Sequence, residues 1–147
     1  MTLHLRTFGS GPRKGLALHC SLAQGGVWAG VANGLPRVTL LAPDLPGHGR
    51  SPDRDPASDY HSQTTRAVLA LIGSPRDVIG HSFGATVALR IALERPDLVR
   101  TLTLIEPVLF AAARAAGAPA FAMFQAENAV FAAYCHAGNM RAAAAAF

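Results

Sequence analysis

The chain has 147 residues, of which 50% are hydrophobic, and a formal net charge of +4 at pH 7. This composition can bury the core of one domain and excludes a chain that is disordered throughout. The basic residues are scattered and form no patch interleaved with aromatic residues, so we expect no nucleic-acid partner.

Three features bear on the location of the protein. Residues 1–6 show no basic segment leading into an apolar stretch, so we expect no secretory signal. Charged residues and a proline interrupt the alanine-rich end, so no apolar run is long enough to cross a bilayer. Cys20 and Cys135 lie far apart and form no CxxC pair, which favours two reduced thiols. We therefore expect a cytoplasmic protein without a membrane partner.

Short apolar runs alternate along the chain with longer segments of helical periodicity, which is typical of an α/β domain with a largely parallel sheet. The first predicted strand alternates polar and apolar residues, so we expect it to be antiparallel and to lie at an edge. The predicted strands are residues 3–8, 16–20, 38–42, 77–79 and 101–105. The predicted helices are residues 26–35, 60–72, 83–94 and 118–137, with Ser58 or Asp59 as the N-cap of the second.

The segment "VIGHSFGA", residues 78–85, contains the pattern G-x-S-x-G between a predicted strand and a predicted helix. This context is typical of a nucleophile elbow, in which a tight turn pushes the serine Oγ clear of the sheet. Gly80 and Gly84 would remove the Cβ atoms that clash in such a turn. Ser82 is therefore the candidate nucleophile. The alternative is an inert serine in a glycine-bracketed turn, with His81 as a packed neighbour rather than a base.

A nucleophilic serine also needs donors for the oxyanion. The backbone N–H of Phe83 is one candidate, because it would lie in the first turn of the helix, where N–H groups lack partners and favour negative charge. The N–H of Ser21 is the second candidate, in the loop after the strand at residues 16–20. We interpret His19 as a structural residue that anchors this loop.

The segment "APDLPGHGRS", which ends at Ser51, follows the next strand. Gly47 and Gly49 allow a turn with positive φ, so the segment would shape one rim of a cleft at the carboxyl ends of the strands. A structural turn is the preferred interpretation of Asp44 and His48, and a catalytic role is the alternative.

The stretches "LHCS", "DLPGHGRS" and "GHSFG", in this order, resemble the α/β-hydrolase fold superfamily. The resemblance implies that Ser82 is the nucleophile and that Phe83 and Ser21 are the oxyanion donors. It also implies hydrolysis of a small ester or related acyl substrate through an acyl-enzyme, without a cofactor. The histidines show no HxxxH or HxH spacing, so we expect no metal. The chain departs from the superfamily pattern at Cys20, which replaces the usual glycine after the histidine.

The superfamily triad runs from serine to acid to histidine, the last two following late strands of the sheet. No strand pattern follows Glu106, so we expect an α/β-hydrolase-like fold that lacks the last two strands. Glu106 ends the last predicted strand and is the candidate acid, whereas no histidine occupies the usual position of the base. Four explanations stay open: a truncated enzyme, completion by a second chain, a silent binding or interaction module, or an unusual base among His61, His81 and His136.

The same pattern predicts the domain organisation. Residues 1–110 would form the N-terminal part of a hydrolase core, and residues 111–147 would form a helical segment that begins a cap. The strand at residues 101–105 would leave an open sheet edge, which favours self-association.

Overall fold

A computed structural model describes residues 1–146 and divides into two compact units. The first unit is Met1–Val108, and the second begins at Leu109. The first unit contains a five-stranded sheet with the order β1-β3-β2-β4-β5, in which β1 is an antiparallel edge strand and all other pairs are parallel. The predicted α/β class is confirmed. The strands are β1 (Leu5–Phe8), β2 (Arg13–Leu18), β3 (Val38–Pro43), β4 (Arg76–His81) and β5 (Val99–Ile105).

The helices of the first unit agree with the sequence pattern except at their ends. The predicted helix at residues 26–35 is a 3₁₀ turn, Gly25–Trp28, followed by the short helix α1, Ala29–Asn33. Helix α2, Tyr60–Leu69, begins after Asp59, whose carboxylate accepts the Ser62 N–H at 2.7 Å. Helix α3, Phe83–Glu94, has the predicted bounds because the following Arg-Pro pair ends it.

The central strand β2 separates two hydrophobic cores. Leu16 and Leu18 point to the face covered by α2 and α3, whereas Ala17 points to the face that holds Trp28. Alternation along a strand explains this division, and burial on both faces explains why β2 is continuously apolar at its carboxyl half. The strands β2, β4 and β5 begin earlier than predicted, because the residues just before each predicted start include an arginine: Arg13, Arg76 and Arg100.

The side chain of Asp77, in β4, links the polar residues at the starts of β2 and β5. Its carboxylate accepts hydrogen bonds from Arg13 of β2 and from Arg100 and Thr101 of β5. The hydrogen bonds from Arg13 and Arg100 hold the pKa of the Asp77 carboxyl far below its usual value. The three parallel strands β2, β4 and β5 are therefore held in register at their amino-terminal ends. The predicted elbow follows the other end of β4.

The second unit consists of α4 (Phe110–Ala115), α5 (Pro119–His136) and α6 (Met140–Ala146). The rings of Phe110 and Phe124 stack with centroids 4.1 Å apart, which joins α4 to α5. Met123 and Val130 are more than half exposed. Among residues 1–146, no helix combines the length and the apolar character that a membrane span requires.

Candidate active site

Ser82 connects β4 to α3 through a strained turn. Its backbone has φ 53° and ψ −116°, a region that residues with a side chain rarely adopt. The Ser82 N–H donates a hydrogen bond to the Ile105 carbonyl at 2.9 Å, which fastens the turn to the end of β5. The turn is thus held by the sheet on one side and by the start of a helix on the other.

The two glycines around Ser82 stand where no side chain fits. A Cβ on Gly80 would lie 2.4 Å from the carbonyl oxygen of Gly84 and 2.6 Å from the Cα of Ala85. A Cβ on Gly84 would lie 2.4 Å from the carbonyl oxygen of Leu18 and 2.5 Å from that of His19. The spacing of the motif therefore follows from close backbone contacts within the turn and between α3 and the end of β2.

These contacts bring the start of α3 beside the loop that follows β2. Phe83 is the first residue of α3, so its N–H belongs to the turn whose N–H groups have no partner within the helix. Ser21 lies in an exposed turn after β2. Both candidate oxyanion donors thus belong to segments that meet at Gly84.

The loop at Ser21 is anchored by His19, as expected from the sequence. His19 is fully buried, and its Nε2 accepts the Leu45 N–H at 2.9 Å. Its Nδ1 lies 2.7 Å from the carbonyl oxygen of Cys20. Burial lowers the pKa of His19, so the neutral ring is favoured.

The loop after β3 forms a turn around a buried carboxylate. Gly47 and Gly49 have φ of 74° and 56°, as the sequence predicted. Asp44 is fully buried and accepts the Arg50 N–H at 2.9 Å and the Gly25 N–H at 2.8 Å. These contacts agree with the structural interpretation of Asp44.

The ring of Phe83 has two aromatic neighbours that sequence reasoning missed. Tyr60 stacks on it with centroids 5.0 Å apart, and His61 meets it edge to face at 5.7 Å. Tyr60 also lines an open cavity of about 470 Å³ together with the loop after β3. No local spacing signals these contacts, because the residues are more than 20 positions apart. The cavity is lined by Pro46, Gly47, His48, Asp53, Arg54, Pro56 and Tyr60.

Both ring nitrogens of His61 are engaged. Thr86 donates its hydroxyl proton to the Phe83 carbonyl at 2.7 Å, so its oxygen accepts from His61 Nε2 at 3.1 Å. His61 Nδ1 then accepts from the Arg90 guanidinium at 3.2 Å. Burial and the Arg90 charge lower the pKa of His61. This network ties α2 to α3 and occupies both ring nitrogens of His61.

Glu106 lies immediately after β5 and adopts a φ of 45°. Its carboxylate meets the imidazole of His81, with Nε2 and Oε2 3.6 Å apart, and its side chain is 85% exposed. Within residues 1–146, no hydrogen bond joins Ser82 Oγ to Glu106 or to a histidine. In the same part of the chain, no group of three or more His, Cys, Asp or Glu side chains is placed to hold a metal ion.

Comparison with known proteins gives a consistent set of relatives. A family model described as "Alpha/beta hydrolase family" matches residues 16–146. The lipase LipV of Mycobacterium tuberculosis is 41% identical over 110 residues, which cover 73% of this chain and 42% of the relative. A pimeloyl-[acyl-carrier protein] methyl ester esterase of Nitrosomonas europaea is 39% identical over 105 residues, which cover 71% and 40%.

A solved structure supports the same comparison. The thioesterase domain from the curacin biosynthetic pathway is 35% identical, with a TM-score of 0.61 over 70% of this chain and 41% of that domain. The chain therefore spans about two fifths of the length of these relatives.

Proposed function

The chain belongs to the α/β-hydrolase family, and from that premise we propose that it supplies the nucleophile and the oxyanion donors of an ester hydrolase. The observation that carries the proposal is the backbone of Ser82, held at positive φ between two glycines that cannot accept a Cβ. A strained residue held by its surroundings in this way is typical of a functional position.

In the proposed reaction, Ser82 Oγ attacks the carbonyl carbon of an ester, and the carbonyl electron pair moves onto the oxygen. The N–H groups of Phe83 and Ser21 donate hydrogen bonds to this oxyanion. The base takes the Ser82 proton during the attack and gives it to the leaving oxygen as the tetrahedral intermediate collapses, so the alcohol departs and an acyl group stays on Ser82. Water then attacks the acyl-enzyme, releases the acid and restores the serine.

Ser82 needs a base that accepts its proton, and the contacts of His61 argue against that histidine. His61 uses both ring nitrogens in its network with Thr86 and Arg90. The His81 ring meets Glu106, which is the kind of contact that an acid makes with the base of a triad, so His81 stays a candidate. The base is therefore proposed to be His81, a histidine outside this chain's first unit, or a histidine of a second chain. Glu106 is the candidate acid because it ends β5 beside the elbow.

The names of the relatives support a substrate class for this chain. They describe a lipase, a methyl ester esterase and a thioesterase domain, so the proposed substrate is a small ester or a related acyl compound. Residues 1–110 are proposed as the N-terminal part of the hydrolase core, and residues 111–147 as a helical segment that begins a cap. A cytoplasmic location stays a prediction.

Labelling with a fluorophosphonate tests the nucleophile directly. The probe phosphonylates an activated serine and releases fluoride, so intact mass reports the number of labelled sites. The wild-type chain, Ser82→Ala and Ser74→Ala form the set, because Ser74 lies before β4 at the other end of that strand. We expect one label on the wild type and on Ser74→Ala, and none on Ser82→Ala.

A folded wild-type chain that takes up no label would contradict activation of Ser82 by a base within this chain. The second candidate function, a catalytically silent binding or interaction module, would then be preferred. That candidate is favoured by one observation, namely that no histidine within residues 1–146 hydrogen-bonds to Ser82 Oγ.

A further inference from the structure

The loop at residues 20–24, which carries Ser21, is fixed at both ends by two consecutive residues of another loop. At its start, His19 accepts the N–H of Leu45 at 2.9 Å. At its end, Gly25 donates its N–H to the Asp44 carboxylate at 2.8 Å. We propose that His19 and Asp44 are positioning residues that hold the Ser21 N–H where it can donate a hydrogen bond to an oxyanion. This inference rests on the proposed role of Ser21 as an oxyanion donor.

Asp44 is a rigid anchor because all of its contacts are internal. The carboxylate is fully buried, and its second oxygen accepts the Arg50 N–H and faces the Arg6 guanidinium at 3.4 Å. Arg6 also donates to the Gln24 side chain at 2.7 Å, which adds a contact inside the loop. Burial alone would raise the pKa of Asp44, but the Arg50 and Gly25 N–H groups and the Arg6 charge together hold it below its usual value.

His19 can make both of its hydrogen bonds in one protonation state only. Its Nδ1 lies 2.7 Å from the Cys20 carbonyl and must carry the proton, whereas Nε2 must be bare to accept the Leu45 N–H. A second proton on Nε2 would place two donors face to face. The other titratable groups that act on the ring are His48, with ring centroids 5.2 Å apart, and the Asp44 carboxylate.

The loop between the anchors depends on them for its conformation. Ser21 and Leu22 are exposed, and Leu22 adopts a φ of 61° with 81% of its surface in solvent. A leucine keeps such a backbone only where its surroundings impose it. Since the exposed turn has little packing of its own, the two anchored ends are what direct the Ser21 N–H.

Placement of this donor matters because oxyanion stabilisation depends strongly on distance. Loss of one donor slows acyl transfer by about 10² to 10³ fold in a well-studied protease. A misplacement of about 1 Å costs up to about 10² fold. Loosening either anchor should therefore lower the reactivity of Ser82 without touching Ser82 itself.

Nuclear magnetic resonance of the full chain tests the anchor independently of any reaction. Nitrogen-15 shifts of the His19 ring report its tautomer, and the amide signals of Leu45, Ser21 and Leu22 report the loop during a titration from pH 7.5 to pH 4.5. We expect the Nδ1–H tautomer at neutral pH. We also expect these amides to move together once His19 takes a proton, below its ordinary value of about 6.5.

The direction of this pH effect follows from burial. Because the folded chain favours the neutral ring, the anchored loop is present above about pH 6.5 and is lost as pH falls through the lower value in the folded state. The amide of Gly73, at the other end of the sheet, serves as the control and should not follow the His19 titration. An Nε2–H tautomer, or Ser21 and Leu22 signals unchanged when His19 titrates, would overturn the proposal.

Fluorophosphonate labelling of three variants adds the functional readout. Asp44→Ala removes the acceptor of the Gly25 N–H, and we expect Ser82 to label about 10 to 100 fold more slowly. Asp44→Asn retains a side-chain oxygen and should recover part of the rate, whereas Asp97→Ala should match the wild type. A folded Asp44→Ala that labels at the wild-type rate would contradict the positioning role.

The two readouts separate the failure of this inference from the failure of the proposed function. A wild-type chain that does not label disproves the activated nucleophile in this chain, and the titration still decides whether His19 anchors the loop. If Asp44→Ala does not fold, the labelling rate of Asp44→Asn relative to wild type tests the Asp44 anchor, and the titration of the wild type tests the His19 anchor.

Discussion

The carbonyl oxygen of Leu18 lies 2.4 Å from the point where a Cβ on Gly84 would stand. This close approach places the first turn of α3 against the carboxyl end of β2. The segments that carry the two candidate oxyanion donors therefore meet through backbone contact at Gly84. The same contact makes Gly84 a position where a single methyl group has a large effect.

We expect Gly84→Ala to lower the free energy of unfolding by about 2–3 kcal/mol, because the new methyl group meets backbone oxygens that cannot move aside. Urea unfolding followed by circular dichroism measures the change. Gly30→Ala is the matched control, since nothing lies within 4 Å of its Cβ position and an alanine within α1 should be neutral or slightly stabilising. Equal stability of Gly84→Ala and wild type would refute the close contact.

Strain at Ser82 predicts a difference in stability between two variants that both lose the hydroxyl group. Glycine adopts the φ of 53° without the penalty that a Cβ brings, whereas alanine keeps the penalty. Ser82→Gly should therefore be more stable than Ser82→Ala by about 1 kcal/mol, as measured by urea unfolding. A more stable Ser82→Ala would show that the turn stores no strain.

Asp77→Asn should lower the free energy of unfolding at pH 7, because Arg13 and Arg100 lose their charged acceptor. The expected loss is only about 1–2 kcal/mol, because both guanidinium groups are partly solvated. The low pKa of Asp77 in the folded chain means that its contribution is present above about pH 4. It is lost as pH falls through the folded value.

Urea unfolding measures the free energy of unfolding of wild type and of Asp77→Asn at pH 7, 4.5 and 3. We expect the difference between the two proteins to shrink as the pH falls. Asp97→Asn is the control, since Asp97 pairs with Arg95 on the exposed surface and should show little change at any pH. A difference between wild type and Asp77→Asn that grows towards pH 3 would be incompatible with this account.

Among the described residues, β5 pairs with β4 alone, and its unpaired side predicts association between copies of the chain. Thr103 lies on this strand with an exposed side chain, and a lysine at such an edge opposes pairing with another strand. Sedimentation velocity over a range of concentrations should detect more monomer for Thr103→Lys than for wild type. Leu93→Lys adds the same charge at an exposed position of α3 and should leave association unchanged. Equal association of all three chains would argue against the β5 edge.

The sequence by itself determined the elements near the elbow. The motif between Gly80 and Gly84, the apolar strand before it and the proline after α3 are local signals, because turn geometry and helix ends depend on neighbouring residues. The same is true of the edge strand β1, whose alternation indicated one polar face. The sequence did not predict the polar starts of the strands. Contacts with Asp77 stabilise them, and such a contact joins Arg13 to a residue that is distant in the chain.

Only the tertiary structure decided how the candidate site is held together. The contacts of Asp44 with Gly25, of His19 with Leu45, and of Tyr60 with Phe83 join residues 19 to 26 positions apart. A single sequence records which side chains can donate or accept a proton, but not which of them face each other once the strands pair. That pairing brings the two loops together and fixes the protonation state that His19 must adopt.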